Sequence, residues 1–353
     1  MRVGVIGLGQ IAELCLPPYA RRDDVELVAL CDLDDARLER WRAVFPKALV
    51  THEIDDVLAA QPDVVDILVP TPLHGDVATR VLAAGVDVQV QKPLARSLED
   101  ADRMLAAAAQ SGATIRVLED YMFYPPLVKL REVVTSAEIG APTGMHMKIV
   151  GTGRGGWEVP LSSYIWQFEQ SRDGRGMLTF DHGWHQLAIA HWLFGPITRI
   201  FGWIGESQAA PDLAPEIMID APATFVWEHA NGVRATLEIL LASETLFRSD
   251  FYSCDERVEV TGAQGYVRCN RISSKGIQEP SVVVYREGVM REYHALDDDP
   301  PDAFAASAAH AVDYFDHGKG PLVMDGAAAR AVLVALLAGL ESSKAGRPVD
   351  IHP

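Results

Sequence analysis

Apolar positions in the first third of the chain fall in short runs separated by stretches of helical spacing. Arg2–Ile6 reads as a strand that ends in glycines. Ile11–Arg21 follows as a helix, which Pro17-Pro18 is expected to kink or end, because proline has no N–H and its ring clashes with the preceding turn. Val25–Cys31 is a second strand, and Asp34–Val44 a helix with Asp32 and Asp34 as candidate caps. Ala48–Thr51 and Ile54–Ala60 form a short strand and a short helix. Val64–Val69 fits a strand buried on both faces, as in parallel sheets. Asp76–Ala84 is a helix ended by Gly85, and Val86–Val90 another strand. Ser97 caps the next helix, with Asp100 at the capping-box position, before the strand Ile115–Leu118. Repeated strand–helix units of this kind predict a doubly wound parallel sheet.

The pattern changes after Tyr124-Pro125-Pro126. A helix over Leu127–Ser136 leads into longer alternating segments: Thr143–Val150, Ile197–Gly205, Ala223–His229, Val233–Leu241, Arg257–Thr261, Tyr266–Asn270 and Val282–Tyr285. Asn231-Gly232 between two of them is a strong hairpin signal. The chain closes with helices over Ala303–His317 and Asp325–Ala345. The expected organisation is a dinucleotide-binding α/β domain over 1–124 and an α+β domain with a mostly antiparallel sheet over 125–353.

Composition narrows the function classes. The 353 residues are 48% hydrophobic and 23% charged, an ordinary globular balance. With 31 basic against 49 acidic residues the net charge is −18, which argues against nucleic acid or an anionic membrane surface as partner. Cys15, Cys31, Cys254 and Cys269 form no C-x-x-C pair, so buried thiols in a reducing, cytoplasmic setting are expected. Met1-Arg2 runs straight into a strand, so no signal peptide is expected. The apolar stretch Ala331–Leu340 is half of the ~20 residues a membrane span needs and reads as a buried helix.

Gly7-Leu8-Gly9-Gln10-Ile11-Ala12 is a G-x-G-x-x-A sequence between the first strand and first helix. Gly7 allows the tight turn, Gly9 lets backbone approach a pyrophosphate, and Ala12 keeps the helix close to the sheet. The helix N-terminus offers N–H groups and a positive dipole end to phosphates. Asp32, at the end of the second strand, would accept from the adenosine ribose. A carboxylate there, with no Arg or Lys at 33–36, favours NAD and makes NADP the less expected cofactor.

Lys92-Pro93 follows the fifth strand, at the carboxyl end where open α/β sheets bind ligands. A lysine in a cleft takes part in proton transfer; a solvated surface lysine is the competing reading. Asp181 and His185 lie four apart and share a face if the segment is helical. A carboxylate beside a histidine suits general acid–base work, whereas a helix cap and a hydrogen-bonded core histidine are the structural alternatives. A metal set of His182, His185 and His191 does not follow a standard ligand spacing, and no metal is expected. Gly151–Gly176 is rich in Arg, Trp and Tyr, including Arg154, Trp157, Tyr164, Trp166 and Arg172. Such residues wall sugar pockets, or pack a loop upon itself. Asp120 and Tyr121 follow a parallel strand and are further substrate candidates.

Taken in order, these elements resemble the Gfo/Idh/MocA family of sugar and cyclitol oxidoreductases over the whole chain. The resemblance is carried by Gly7–Ala12, by the T-P loop with its following histidine (Thr71-Pro72-Leu73-His74), and by Gln91-Lys92-Pro93 in place of E-K-P. Tyr121–Pro125 looks like the domain crossing, and Asp181-His182-Gly183-Trp184-His185 is similar to D-x-G-x-H. It implies a Rossmann domain followed by a domain with an open, largely antiparallel sheet that assembles homodimers or homotetramers. It implies cofactor contacts from Gly7, Gly9, Gln10, Ile11, Asp32, Pro70, Thr71, His74, Gln91 and Lys92, and substrate contacts that would include His182. It implies hydride transfer between a substrate C–H and nicotinamide, with His185 handling the hydroxyl proton, Lys92 stabilising charge on the same oxygen, and Asp181 orienting His185. Three departures stand out. Gln91 replaces the usual glutamate and removes a negative charge beside Lys92. The T-P loop lacks its usual Asn and neighbours. The N-x-R before the crossing reads Asp120-Tyr121-Met122.

The expected activity is an NAD-dependent dehydrogenase acting on a hydroxyl-bearing carbon of a monosaccharide or cyclitol. Two rivals remain at this level. One is hydrolysis, elimination or epimerisation through a transient keto sugar with retained NAD. The other is a dinucleotide-bound regulator without catalysis, against which the joint presence of Lys92, Asp181 and His185 argues.

Overall fold

Six short strands pair in parallel: β1 (Arg2–Ile6), β2 (Glu26–Cys31), β3 (Leu49–Thr51), β4 (Val64–Ile67), β5 (Asp87–Gln91) and β6 (Ile115–Leu118). Their order is β3-β2-β1-β4-β5-β6, so the direction of winding reverses between β1 and β4. The carboxyl ends at such a reversal form the ligand crevice of open α/β sheets. The connecting helices are α1 (Ala12–Ala20), α2 (Asp35–Val44), α3 (Ile54–Ala59), α4 (His74–Ala83) and α5 (Leu98–Ser111). This is the computed structural model of the chain, and it describes residues 1–156, 165–210, 214–247, 249–252, 254–270, 279–294, 296 and 299–352.

Local chemistry explains most boundaries. Asp34 caps α2 by accepting from the N–H groups of Ala36 and Arg37. Ser97 caps α5 through Asp100 N–H, and Gly112 ends that helix in the left-handed region at φ 79°. In α1, Pro17 and Pro18 stand inside the helix, which runs on past them to Ala20. They fall near its C-terminus, and the chain closes over them with Arg21 N–H to Pro18 O and Arg22 N–H to Tyr19 O.

The core of this sheet is Val3, Val5, Leu30, Val64, Ile67, Val88, Val90 and Val117, all buried. Across it runs a row of buried polar residues on neighbouring strands: Asp66, Gln89 and Arg116. Burial of unpaired polar groups is costly, and these are paired. Tyr19 OH and Gln89 Nε2 donate to the two oxygens of Asp66 at 2.9 and 2.7 Å, and Arg116 Nη1 donates to Gln89 Oε1 at 2.6 Å. Asp66 lies inside the run read above as an apolar strand. Burial pushes its carboxyl up to about 6, even though the bonds from Tyr19 and Gln89 act the other way.

The chain divides into two compact units. The first is Met1–Asp120 together with Phe304–Leu333, and the second is Tyr121–Ala303 together with Val334–Pro353. The division expected at 124 therefore falls close to the first crossing, and a late segment returns to the first unit. That segment is tied there by Arg116 Nη2 to Ser307 Oγ (2.7 Å), Val117 N–H to Met324 O (2.9 Å) and the ion pair of Arg330 with Asp102. These contacts span about two hundred positions of sequence, which a local pattern does not register.

The second unit is built on nine strands: β7 (Pro142–Arg154), β8 (Ile197–Ile204), β11 (Ala223–His229), β12 (Arg234–Leu246), β13 (Cys254–Gly262), β14 (Gly265–Cys269), β15 (Val282–Arg286), β16 (Val289–Tyr293) and β17 (Val349–Asp350). The order is β16-β15-β14-β13-β7-β12-β11-β8-β17, with β9 (Ser207–Ala210) and β10 (Ala214–Ile219) as a separate pair. The β7–β12 pair is parallel and every other pairing is antiparallel. Asn231-Gly232 makes the expected turn between β11 and β12, with Gly232 at φ 84° and Asn231 Oδ1 accepting from Val233 N–H. The helices of this part are α6 (Pro125–Thr135), α7 (Ile165–Arg172) and α8 (Gly183–Phe194); α9 (Pro300–Phe315) and α10 (Gly326–Ala345) close the chain. The apolar stretch Ala331–Leu340 lies inside α10, where Val332, Leu333, Ala335, Leu336, Ala338 and Leu340 are buried. All four cysteines are buried thiols.

Candidate functional site

The turn after β1 has the shape a phosphate cradle needs. Gly7 sits at φ 94°, and a Cβ there would lie 2.7 Å from the backbone carbon of Leu68, so both conformation and space demand glycine. Around Gly9 a Cβ would meet a single neighbour, Arg37 Nη1 at 3.9 Å, which leaves room for a ligand to approach the backbone. Ala12 is fully buried against the sheet, and no side chain caps the start of α1. The helix N-terminus is therefore available to an anion. These residues fit a dinucleotide. Asp32 is held ready by two backbone donors, Leu8 N–H at 2.6 Å and Asp34 N–H at 2.9 Å. Arg37 lies 3.7 Å from Asp32 Oδ2. The first turn of α2 brings it there from just beyond the 33–36 window considered above.

Lys92 and Gln91 stand at the end of β5. Lys92 is half-buried, in contrast to the solvated surface lysine considered above. Gln91 is buried, and its amide donates to the Cys15 thiol of α1 at 3.5 Å. Pro70 is exposed, while Thr71 is buried at the start of a short 3-10 turn over Thr71–Leu73. His74 is wholly buried, with Nδ1 2.9 Å from Pro93 O and Nε2 2.9 Å from Val69 O. Both ring nitrogens face main-chain carbonyls, so His74 ties the loops after β4 and β5 together.

In the second unit, a π-helical turn over Met177–His182 carries Asp181 and His182 into α8, which carries His185. Such turns recur at functional sites. The turn is capped from a distant segment: Asp220 accepts from Leu178 N–H at 2.9 Å and Thr179 N–H at 2.6 Å, and Gly176 leaves room for its carboxylate. Asp181 is not the cap of α8. That position belongs to His182, and Asp181 accepts from Gln167 Nε2 at 3.2 Å. Asp181 and His185 are both buried.

The centre of this site is a residue the sequence pattern does not single out. Glu256 on β13 is wholly buried, yet its carboxylate gathers four partners. Tyr121 OH donates to Oε1 at 2.8 Å, His182 Nε2 lies 2.9 Å and Cys254 Sγ 3.3 Å from the same oxygen, and Gln186 Nε2 donates to Oε2 at 2.5 Å. Burial alone would raise its pKa, but His182, then His185 and Tyr121, hold the carboxyl down to about 2. Burial, with Glu256 nearby, pushes the Tyr121 hydroxyl well above its usual value, which keeps it a donor. Tyr121 stacks on His185 with ring centroids 4.1 Å apart, and His182 meets His185 edge-on at 5.4 Å.

The expected residues thus sort into separate networks. Tyr121, His182 and His185 come together around Glu256. Asp120, adjacent in sequence to Tyr121, belongs to another set, with Ser307 and Arg116, and burial pushes its carboxyl up to about 7. Trp166 is half-buried at the start of α7. Arg154 ends β7, but its side chain, like Trp157 and Tyr164, lies outside the described residues. His182, considered above beside His185 and His191 and set aside as a metal ligand, lies close to Cys254 and Glu256. The signal for Glu256 was present as Cys254-Asp255-Glu256: alternate positions on one strand project to one face.

Residues 1–119 match the profile of an oxidoreductase family with an NAD-binding Rossmann fold, and residues 127–268 match the GFO/IDH/MocA C-terminal domain. A 1-carboxy-3-chloro-3,4-dihydroxycyclohexa-1,5-diene dehydrogenase of Comamonas testosteroni is 30% identical over 60% of this chain and 52% of its own length. A D-apiose dehydrogenase of Paraburkholderia graminis is 29% identical over 75% of this chain and 66% of its own length. The matches thus span about half and just under two thirds of these relatives. An oxidoreductase from Agrobacterium radiobacter, crystallised with NAD+, L-tartaric acid and magnesium, superposes with a TM-score of 0.83 over 99% of this chain and 98% of its own, at 21% identity. At that identity the likeness is one of fold.

Proposed function

The chain belongs to the Gfo/Idh/MocA oxidoreductase family, and from that premise we propose that it is a dehydrogenase transferring a hydride between NAD and a hydroxyl-bearing carbon of a monosaccharide or cyclitol. The observation that carries this reading is the built dinucleotide cradle of the first unit (Gly7, Gly9, Asp32), with a half-buried Lys92 in the same unit; the buried His185 of the second unit supports it. Relatives named for action on D-apiose and on a dihydroxylated ring support a vicinal diol or polyol as substrate class.

NAD, when bound, supplies the nicotinamide as hydride acceptor. The chain supplies everything else. The first turn of α1 and the loop at Gly9 hold the pyrophosphate, and Asp32 accepts from the adenosine ribose. In the proposed roles, Lys92 donates a hydrogen bond to the substrate hydroxyl oxygen and stabilises charge as it develops there. His185 takes the hydroxyl proton at a ring nitrogen, and its stack on Tyr121 fixes the plane of that ring. Asp181, buried and accepting from Gln167, is proposed to orient His185.

The test is a panel of aldoses, cyclitols and anhydro sugars offered with NAD and with NADP. NADH release should be measured beside product formation. NADH equal to product with one substrate class supports the reading. Product without NADH would place the chain with the internal redox cycles instead.

A further inference from the structure

We propose that His182, Cys254 and Glu256 form a binding site for a divalent transition-metal ion, Zn2+ foremost, with an open fourth position for an oxygen ligand. One nitrogen, one sulfur and one carboxylate oxygen converge here, all within 4.8 Å of one another. The pairwise separations are 2.9 Å (His182 Nε2 to Glu256 Oε1), 3.3 Å (Cys254 Sγ to Glu256 Oε1) and 3.9 Å (Cys254 Sγ to His182 Nε2). Tetrahedral zinc bonds N and O at ~2.0–2.1 Å and S at ~2.3 Å, which puts ligand atoms roughly 3.3–3.6 Å apart. The three atoms are within a few tenths of an ångström of that triangle.

The hydrogen bonds among these groups are overcrowded at Glu256 Oε1. A carboxylate oxygen offers two lone-pair sites. Glu256 Oε1 has three neighbours that would each have to donate: Tyr121 OH, His182 Nε2 and Cys254 Sγ. A cation among the three ligand atoms removes the conflict. Cys254 binds as thiolate after losing its proton to solvent, His182 binds through neutral Nε2, and Tyr121 remains the sole donor to Oε1. One thiolate and one carboxylate balance the charge of a divalent ion, so the buried site becomes neutral.

The surroundings are those of a supported ligand set. Gln186 Nε2 and Tyr121 OH fix both oxygens of Glu256, as outer hydrogen bonds orient metal ligands. Cys254 and Glu256 are alternate residues of β13 and share its face, while His182 comes from the π-turn. Sulfur with imidazole selects a borderline-soft ion and disfavours Mg2+ or Ca2+, which take oxygen ligands. Among the described residues three side chains offer ligand atoms here; three protein ligands with a fourth position left over is the arrangement of catalytic zinc, whereas structural zinc is closed by four. His185 meets the His182 ring edge-on, with centroids 5.4 Å apart. This site does not depend on the substrate proposed above, and its test does not require turnover.

The experiment strips the full-length protein with a chelator and then titrates it with Zn2+ and with Co2+. The readouts are bound metal per chain, the cobalt spectrum and the thermal unfolding midpoint. The expected result is one Zn2+ per chain, a raised midpoint, and a cobalt spectrum with thiolate charge-transfer and tetrahedral d–d bands. Cys254→Ser should abolish the charge-transfer band and weaken Zn2+ binding by roughly 100-fold or more. Cys269→Ser, altering another buried thiol, should bind as the parent does. NAD binding by the Cys254→Ser protein reports that its fold is intact. No stoichiometric metal, an octahedral cobalt spectrum, or equal binding by the parent and a folded Cys254→Ser variant would overturn the site.

Discussion

Tyr121 and His185 lie face to face, their planes within 10° and their centroids 4.1 Å apart, although 64 positions separate them in sequence. The tyrosine is itself fixed, since its hydroxyl donates to buried Glu256. Tyr121 is therefore a positioning residue for the imidazole. Tyr121→Phe keeps the stack and removes one donor, so stability should fall by about 1–2 kcal/mol with kcat little changed. Tyr121→Ala removes the stack and opens a cavity, costing about 3–5 kcal/mol and lowering kcat more than it raises KM. Urea unfolding and steady-state kinetics on the two variants separate these effects. Equal kcat in both would show that the stack does not hold His185 in place.

Asp66 makes folding stability fall as pH rises. Its folded pKa is raised to about 6, so the folded chain holds this proton more tightly than the unfolded one. The contribution is fully present below the usual aspartate value and is lost as pH climbs through about 6. Asp66→Asn keeps an acceptor for Gln89 and cannot ionise. The variant should gain on the parent by up to about 3 kcal/mol at pH 8, with little gain near pH 4. Urea denaturation at the two pH values checks the slope. A pH-independent difference would mean Asp66 does not titrate in this range.

Cofactor choice should turn on Asp32 and Arg37. The carboxylate repels a 2′-phosphate, but it also sits 3.7 Å from a guanidinium suited to one. Asp32→Ser should weaken NAD, because Leu8 N–H loses its partner, and free Arg37 for NADP. The NADP/NAD ratio of kcat/KM should rise about 10- to 100-fold. Adding Arg37→Ala should return most of that gain. An unchanged ratio would remove Arg37 from the account.

Gly7→Ala forces a side chain into the left-handed region and into the backbone of Leu68 and Val69. The conformational part alone costs about 1–2 kcal/mol. The midpoint of thermal unfolding should drop, and NAD should no longer raise it. A variant that NAD stabilises as well as it does the parent would show that the turn tolerates a Cβ.

Much of the fold was legible because it rests on local rules. Asp34 and Ser97 cap helices where capping chemistry puts them, Asn231-Gly232 turns the hairpin, and the glycine loop lies between β1 and α1. What escaped was non-local. Asp66, Gln89 and Arg116 pair across three strands, so none shows a pattern in its own segment. Glu256 lies just before the strand read over Arg257–Thr261, and its partners Tyr121, His182 and Gln186 arrive from elsewhere in the chain. Phe304–Leu333 rejoins the first unit through Ser307 and Met324, contacts that no window of sequence contains. Pro17 and Pro18 stand in the last turn of α1, where the N–H groups they lack remove two intrahelical hydrogen bonds, and the chain still closes past them.

The central claim is that this chain oxidises a sugar or cyclitol hydroxyl with NAD and that Lys92 acts on the substrate oxygen. The most direct test follows NADH formation by the parent and by Lys92→Ala on the best substrate of the panel, with NAD affinity measured on both. Lys92→Ala should bind NAD as the parent does while kcat falls by about 100-fold or more. A Lys92→Ala protein that still forms NADH at the parent rate would contradict it.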